Sequence, residues 1–114
     1  MPFINARTSV RIPKEVQEKI KTQLGQAISI LPGKSEAWLM VGFQDAYDLY
    51  FQGNQDSPSA FIDVKIYGKA TPEAYDTLTK RITDIFHQDL AIPTERIYVA
   101  YFETATWGYD GANF

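Results

Sequence analysis

Residues 60 to 73 read AFIDVKIYGKATPE, and this stretch decides the fold. Residues 60–67 alternate as a β-strand with one buried face does. Thr71-Pro72-Glu73 then predicts a helix start, because threonine suits the N-cap, proline the first turn and glutamate the positive end of the helix dipole. Residues 96–102 (RIYVAYF) predict a further strand. The second half of the chain is therefore predicted to form strand, helix and strand.

The first half of the chain repeats this order. Residues 3–8 predict a short strand, and a helix is expected to start near Pro13 and to continue until Pro32-Gly33 stops it. Residues 37–43 are a nearly continuous apolar run, which predicts a strand. The face of the predicted helix is apolar at three- and four-residue spacing, through Val16, Ile20, Leu24, Ala27 and Leu31.

The two halves align with a shift of 59 residues, which places Pro13 on Pro72. We therefore expect one α+β domain, 1–114, with internal repeats of roughly 1–58 and 59–114. Two β-α-β units with right-handed crossovers give a four-stranded mixed sheet with both helices on one face. The other face of the sheet would remain bare and apolar, which favours self-association.

Composition excludes several classes of function. The 114 residues carry a formal net charge of -3, so a surface that neutralises nucleic-acid phosphates is not expected. The chain has no cysteine and one histidine, His87, which argues against disulfides, thiol redox chemistry and a histidine-rich metal centre. The first twenty residues are rich in charge and predict neither a signal peptide nor a membrane span. We expect a cytoplasmic protein that binds no metal, nucleic acid or membrane.

Two segments fall outside the repeated pattern. Residues 44–59 lie between the halves and are interpreted as a short strand or turn with loops around it. The tail, residues 107–114 (WGYDGANF), combines glycines with large aromatic side chains, which is unusual for a frayed terminus. We expect the tail to dock on another part of the molecule.

Five short motifs in one order carry a resemblance to a known family. They are the start MPFI (1–4), the loop LPGK (31–34), YGK (67–69), RIYV (96–99) and the tail from Gly108-Tyr109 to Phe114. Together they resemble the macrophage migration inhibitory factor family of tautomerases, over the length of the chain. The resemblance implies the duplicated β-α-β fold in a homotrimer and keto-enol tautomerisation of a small carbonyl acid, such as an aryl pyruvate, without a cofactor.

The resemblance also implies a role for individual residues. Pro2 would be the catalytic base once Met1 is removed, because only then is its nitrogen an amine. Lys34 matches the family's active-site lysine, which could lower the pKa of Pro2 and bind a carboxylate. Tyr67 falls where the family donates a backbone N–H to the substrate, and Tyr98 matches a tyrosine contributed by the neighbouring subunit. The remaining candidates are aromatic residues around the pocket: Trp38, Tyr109 and Phe114.

Other interpretations of the same residues stay open. Lys34 could act as a cation near the end of the first helix, Tyr98 could simply pack, and the tail aromatics could be interface anchors. Ala100 replaces an asparagine of the family, which changes the polarity of the pocket and leaves the specificity open. The alternative function is that of a cytokine-like signalling protein, with a protein receptor as partner, export without a leader and vestigial tautomerase activity.

Overall fold

A four-stranded mixed sheet organises residues 1–114, all of which the computed structural model describes. β1 (Pro2–Thr8) pairs in parallel with β2 (Met40–Gln44), and β3 (Ala60–Tyr67) pairs in parallel with β4 (Ile97–Thr104). β1 and β3 meet antiparallel in the centre, so the strand order is β2-β1-β3-β4.

One helix connects the strands of each parallel pair. α1 (Lys14–Ala27) continues into a 3-10 turn (Ile28–Ile30), and α2 (Pro72–Leu90) ends at Ala91 in the left-handed conformation. The Thr71 side chain accepts a hydrogen bond from the Ala74 N–H, as the predicted N-cap should. No helix of the structure combines the length and apolar character needed to span a membrane.

The hydrophobic core lies between the helices and one face of the sheet. Alternate residues of β1 and β3 are fully buried there, including Ile4, Ala6, Ile62 and Val64. The opposite face carries Met40, Tyr98 and Phe102 with exposed fractions of 68%, 56% and 47%. The predicted α+β fold, with two β-α-β units and both helices on one face, is confirmed.

The two units have the same strand register. In each parallel pair a residue lies opposite the residue 37 positions later, as Phe3 does with Met40 and Ala60 with Ile97. The predicted strands 37–43 and 96–102 therefore begin too early. This register would place Trp38 opposite Met1 and leave Ala37 without a partner, and the chain instead forms a 3-10 turn over Glu36–Trp38.

The structural offset between the units is 58 residues, so the expected shift of 59 is wrong by one. α1 starts at Lys14 and α2 at Pro72 (72 − 14), because Pro13 is the N-cap residue of its helix whereas Pro72 is the first helical residue. At this offset four buried residues of α1 and its C-terminal turn match buried residues of α2: Ile20 with Leu78, Leu24 with Ile82, Ala27 with Ile85, and Ile28 with Phe86.

The segments outside the repeats are short hairpins and loops. Between the units, Phe51 and Asn54 form an isolated bridge within residues 44–59, which agrees with a turn rather than a strand. The tail forms a small hairpin from β5 (Gly108–Tyr109) and β6 (Ala112–Asn113), closed by a bond from the Phe114 N–H to the Trp107 carbonyl. Its aromatic side chains contact the body of the protein, as expected for a docked tail.

Candidate active site

Pro2 lies at the beginning of β1, at the edge of the core. Its side chain is buried and it pairs with Ile66 of β3. With Met1 present its nitrogen is an amide, which has no basic lone pair. Burial, followed by the positive charge of Lys34, lowers the pKa of the Met1 amino group below its usual value. The surroundings of the Met1 nitrogen therefore weaken its basicity.

Lys34 is held beside β3 by the loop that follows α1. Its ammonium donates a hydrogen bond of 2.7 Å to the carbonyl oxygen of Tyr67, the last residue of β3. This bond runs to the end of β3 and not to a carbonyl at the end of α1. The geometry brings Lys34 close to the start of β1, because the Tyr67 N–H bonds to the Met1 carbonyl at 3.1 Å.

An aromatic row covers this end of the molecule. The rings of Trp38 and Tyr109 meet edge to face at 5.3 Å, and those of Tyr109 and Phe114 stack at 6.3 Å. Phe114 in turn contacts Tyr67 at 5.5 Å, so the row links the tail hairpin to the end of β3. The four rings are neighbours only in the folded chain, since two come from the tail, one from a turn and one from a strand.

A cleft of about 350 Å³ opens between Pro2 and this row. Pro2, Trp38 and Tyr109 line it together with Trp107, and eight of its ten lining residues are hydrophobic. Lys34 and Tyr67 lie beside the cleft and not in its lining. Such a space suits a small, flat, largely apolar molecule whose polar end reaches Lys34.

Tyr98 lies at the other end of the sheet. It pairs with Phe61, six residues before Tyr67 on β3, and six residues of strand extend about 20 Å at roughly 3.3 Å each. The rings of Phe51 and Phe61 meet that of Tyr98 edge to face at 5.5 and 6.2 Å. Ala100 lies opposite Asp63, on the same open face. Within one chain, Tyr98 is thus separated from Pro2.

Two groups at this end of the sheet have no signal in the amino-acid sequence. The first is the Glu103 carboxylate, which fixes the loop after β3. It accepts hydrogen bonds from the Ala70 N–H at 3.4 Å and from the Tyr75 hydroxyl at 2.5 Å. Burial, and then the bond to Glu103, raise the pKa of Tyr75 to about 12, whereas the same bond lowers the pKa of Glu103. The second is the Met1 carbonyl, a backbone group that no side-chain pattern reveals.

Known proteins resemble this chain in sequence and in fold. The family model described as Macrophage migration inhibitory factor (MIF) matches residues 1–114. The protein of that name from Xenopus laevis is 26% identical over 119 residues, which span 100% of this chain and 99% of that protein.

Solved structures extend the likeness to three dimensions. MIF2 of Leishmania major is 32% identical with a TM-score of 0.92, over 100% of this chain and 97% of that chain. The macrophage migration inhibitory factor of Toxoplasma gondii is 22% identical with a TM-score of 0.90, over 98% of this chain and 99% of that chain. At the lower identity the likeness concerns the fold alone.

Proposed function

The chain belongs to the macrophage migration inhibitory factor family, whose model matches its whole length, and on that premise we propose that it is a keto-enol tautomerase. The proposed substrate is a small aromatic 2-oxo acid of the phenylpyruvate kind. The observation that carries this proposal is the position of Pro2, which lines an apolar cleft and follows Met1, whose amino group experiences the positive charge of Lys34.

Removal of Met1 would convert the Pro2 nitrogen from an amide into a secondary amine. The neutral amine removes a proton from the carbon next to the carbonyl group and returns it to the carbonyl oxygen, so atoms and electrons balance without a cofactor. A free α-amine titrates near pH ~8, and a base for neutral pH needs a lower pKa. The lowered pKa of the Met1 amine supports the same effect on Pro2.

The residues around the cleft would bind and orient the substrate. Lys34 binds the carboxylate and the Tyr67 N–H binds an oxygen of the substrate, while the positive charge of Lys34 stabilises the negative charge that develops on the carbonyl oxygen. Trp38 and Tyr109, which line the cleft, pack against the substrate ring, and Phe114 and Tyr67, which lie outside the lining, complete the aromatic row behind them. This division of roles fits the cleft, which is apolar along its length and has its cation at one side.

A homotrimer would complete the site. The open face of the sheet exposes Met40, Tyr98 and Phe102, and burying such side chains stabilises an assembly by about 25 cal/mol per Å². Tyr98 lies too far from Pro2 to act within one chain, so we assign it to the site of the neighbouring subunit. Its hydroxyl would donate a hydrogen bond to the substrate there.

Signalling through a protein receptor is a second candidate function. It is favoured by the name of the Xenopus laevis relative, a macrophage migration inhibitory factor. It would require export without a leader, whereas the tautomerase would act in the cytoplasm. Binding of a receptor would use the outer surface and would survive loss of the Pro2 nitrogen, so the two functions are separable by substitution.

Turnover of phenylpyruvate tests the enzymatic proposal. Mass spectrometry first establishes whether the purified chain lacks Met1, and absorbance then follows interconversion of enol and ketone. Pro2→Gly replaces the rigid secondary amine with a flexible primary amine and should lower kcat/KM by about 100-fold, because the base is no longer held in position. Pro72→Gly is the matched control, because Pro72 is exposed in the first turn of α2. Absence of turnover by protein that lacks Met1 would refute the proposal.

A further inference from the structure

The Met1 carbonyl accepts the last backbone hydrogen bond between β1 and β3. In an antiparallel pair, residues that face each other can exchange two bonds, one from each N–H. Met1 accepts the bond from the Tyr67 N–H at 3.1 Å, but the Tyr67 carbonyl bonds to the Lys34 ammonium at 2.7 Å. Both backbone groups of Tyr67 point towards β1, since the N–H and C=O of one strand residue lie on the same edge. An N–H donor and a cation therefore lie side by side where Met1 sits.

The equivalent backbone hydrogen bond at the other end of the strand pair shows what is unusual about the bond from Tyr67 to Met1. At an offset of 58 residues, the Ser9 N–H bonds to the Ser59 carbonyl at 3.0 Å. Ser59 is an internal residue, so its carbonyl stays in place for the life of the protein. Met1 supplies the acceptor at the other rung, and the proposed function requires that Met1 be removed.

We propose that the Met1 carbonyl oxygen occupies the position that a carboxylate oxygen of the substrate takes on the Tyr67 N–H, so that removal of Met1 opens a binding site as well as creating a base. This inference rests on the proposed function and concerns the effect of Met1 on substrate binding at the Tyr67 N–H. Retained Met1 is then an internal competitor. A protein with Met1 would fail to bind the substrate, and not merely fail to convert it.

Bonding chemistry favours a carboxylate in the vacated position. Removal of Met1 leaves the half-buried Tyr67 N–H without its acceptor, and an unpaired donor in such surroundings is unfavourable. The neighbouring Lys34 ammonium has two further N–H groups beyond its bond to Tyr67. One carboxylate can accept from both the N–H and the ammonium, through its two oxygens, in short charge-assisted bonds.

Three forms of the chain separate the carbonyl from the rest of Met1. The first lacks Met1, the second retains it because methionine aminopeptidase was inhibited during expression, and the third is Met1→Gly, released from a cleavable tag. The probe is trans-cinnamate, a flat aryl carboxylate without a proton to transfer. Its affinity is measured by titration, and the Tyr67 amide is followed by ¹⁵N NMR.

The form without Met1 should bind cinnamate at least tenfold more tightly than both other forms, and the Tyr67 amide should shift on binding only in that form. Equal affinity in all three forms would overturn the inference, as would an unmoved Tyr67 amide. If Met1→Gly binds as tightly as the form without Met1, the methionine side chain is the obstacle and the carbonyl assignment is wrong.

Turnover of phenylpyruvate, measured on the same form without Met1, keeps this inference distinct from the proposed function. Tight cinnamate binding with a shifted Tyr67 amide but no turnover would refute the tautomerase and leave the binding position standing. Turnover together with equal cinnamate affinity in all three forms would leave the tautomerase standing and refute the binding position.

Discussion

The two ends of the central strand pair, β1 and β3, have similar backbone bonds but differ in their chemistry. The proline end is where β1 begins and β3 ends, and the arginine end is where β3 begins and β1 ends, beside Arg96. Each end has a terminal backbone rung, at 3.1 and 3.0 Å. Each also has a carboxylate that accepts from a loop N–H: Glu103 from Ala70 at the proline end, and Asp45 from Ile12 at the arginine end, both 58 residues apart.

The difference lies in how fully the cation of each end is bonded. Arg96 donates four hydrogen bonds, to the Pro58 carbonyl, the Ser59 hydroxyl, and the side chain and carbonyl of Asn54. Lys34 donates one, and the chain begins beside it. A cation with several bonds to one loop fixes that loop, whereas a cation with a single bond next to a removable residue can bind a ligand. The two units have the same architecture, and under the proposed function the removal of Met1 would make the proline end available to a ligand.

Removal of the charge at the proline end should have the largest effect of the substitutions that follow. Lys34→Met should lower kcat/KM by about 100-fold, equivalent to about 2.7 kcal/mol, through loss of carboxylate binding. The unprotonated Pro2 nitrogen is the active form, so the rate rises with pH through its pKa. Loss of the neighbouring cation raises that pKa, and the acid limb of the pH profile should move to higher pH.

Lys69→Met is the control for this substitution, since Lys69 is an exposed lysine at the same end of the sheet. It should leave both kcat/KM and the acid limb within experimental error. A Lys34→Met protein with an unmoved acid limb would show that Lys34 does not act on the base. The proposed electrostatic difference between the proline end and the arginine end would then have no support.

Removal of the charge at the arginine end should affect stability and not the base. Arg96→Met leaves the Pro58 and Asn54 carbonyls without their charged donor and should lower the free energy of unfolding by about 2 kcal/mol. Urea denaturation measures this, with Arg81→Met, on the surface of α2, as control. The acid limb of kcat/KM should stay in place. A shifted acid limb would mean that the two cations are not separated in function.

The sequence predicted the strands of the sheet better than it predicted the difference between the two ends. β3 has the predicted bounds, 60–67, because alternation along a central strand records burial directly. β2 starts three residues later than predicted, since an edge strand can begin only where its neighbour does. The rung between Tyr67 and Met1 left no trace in the sequence, because backbone bonds depend on register and not on side-chain type. The same holds for the aromatic row, which tertiary packing assembles.

Substitution of Tyr98 tests whether the arginine end of one subunit meets the proline end of its neighbour. Tyr98→Phe should raise KM about fivefold, since a lost neutral hydrogen bond costs about 1 kcal/mol. Mixing Tyr98→Phe chains with Pro2→Gly chains, after denaturation and refolding, should then give sites with an intact Pro2 from one chain and an intact Tyr98 from another. Such sites would show the KM of the unsubstituted protein. A mixture that keeps the raised KM would contradict the assignment of Tyr98 to the neighbouring subunit.

The smallest expected effect concerns the carboxylates of the two ends. Glu103 accepts from the Tyr75 hydroxyl, whose pKa is raised to about 12, whereas Asp45 accepts from the Ile12 N–H. The folded protein therefore holds the Tyr75 proton more tightly than the unfolded chain, in which tyrosine titrates near pH ~10. The stability due to this proton is fully present below pH ~10 and declines as the pH rises towards 12.

Tyr75→Phe should flatten this decline, which urea midpoints between pH 9 and pH 11 would record as a difference of about 0.5 kcal/mol, because solvent screens the pair. Tyr50→Phe, with a side chain that is 69% exposed, should retain the slope. Equal slopes in the Tyr75→Phe protein and the unsubstituted protein would show that the hydroxyl adds nothing at the proline end. The two carboxylates would then be equivalent, and the ends would differ only in their cations and in the chain terminus.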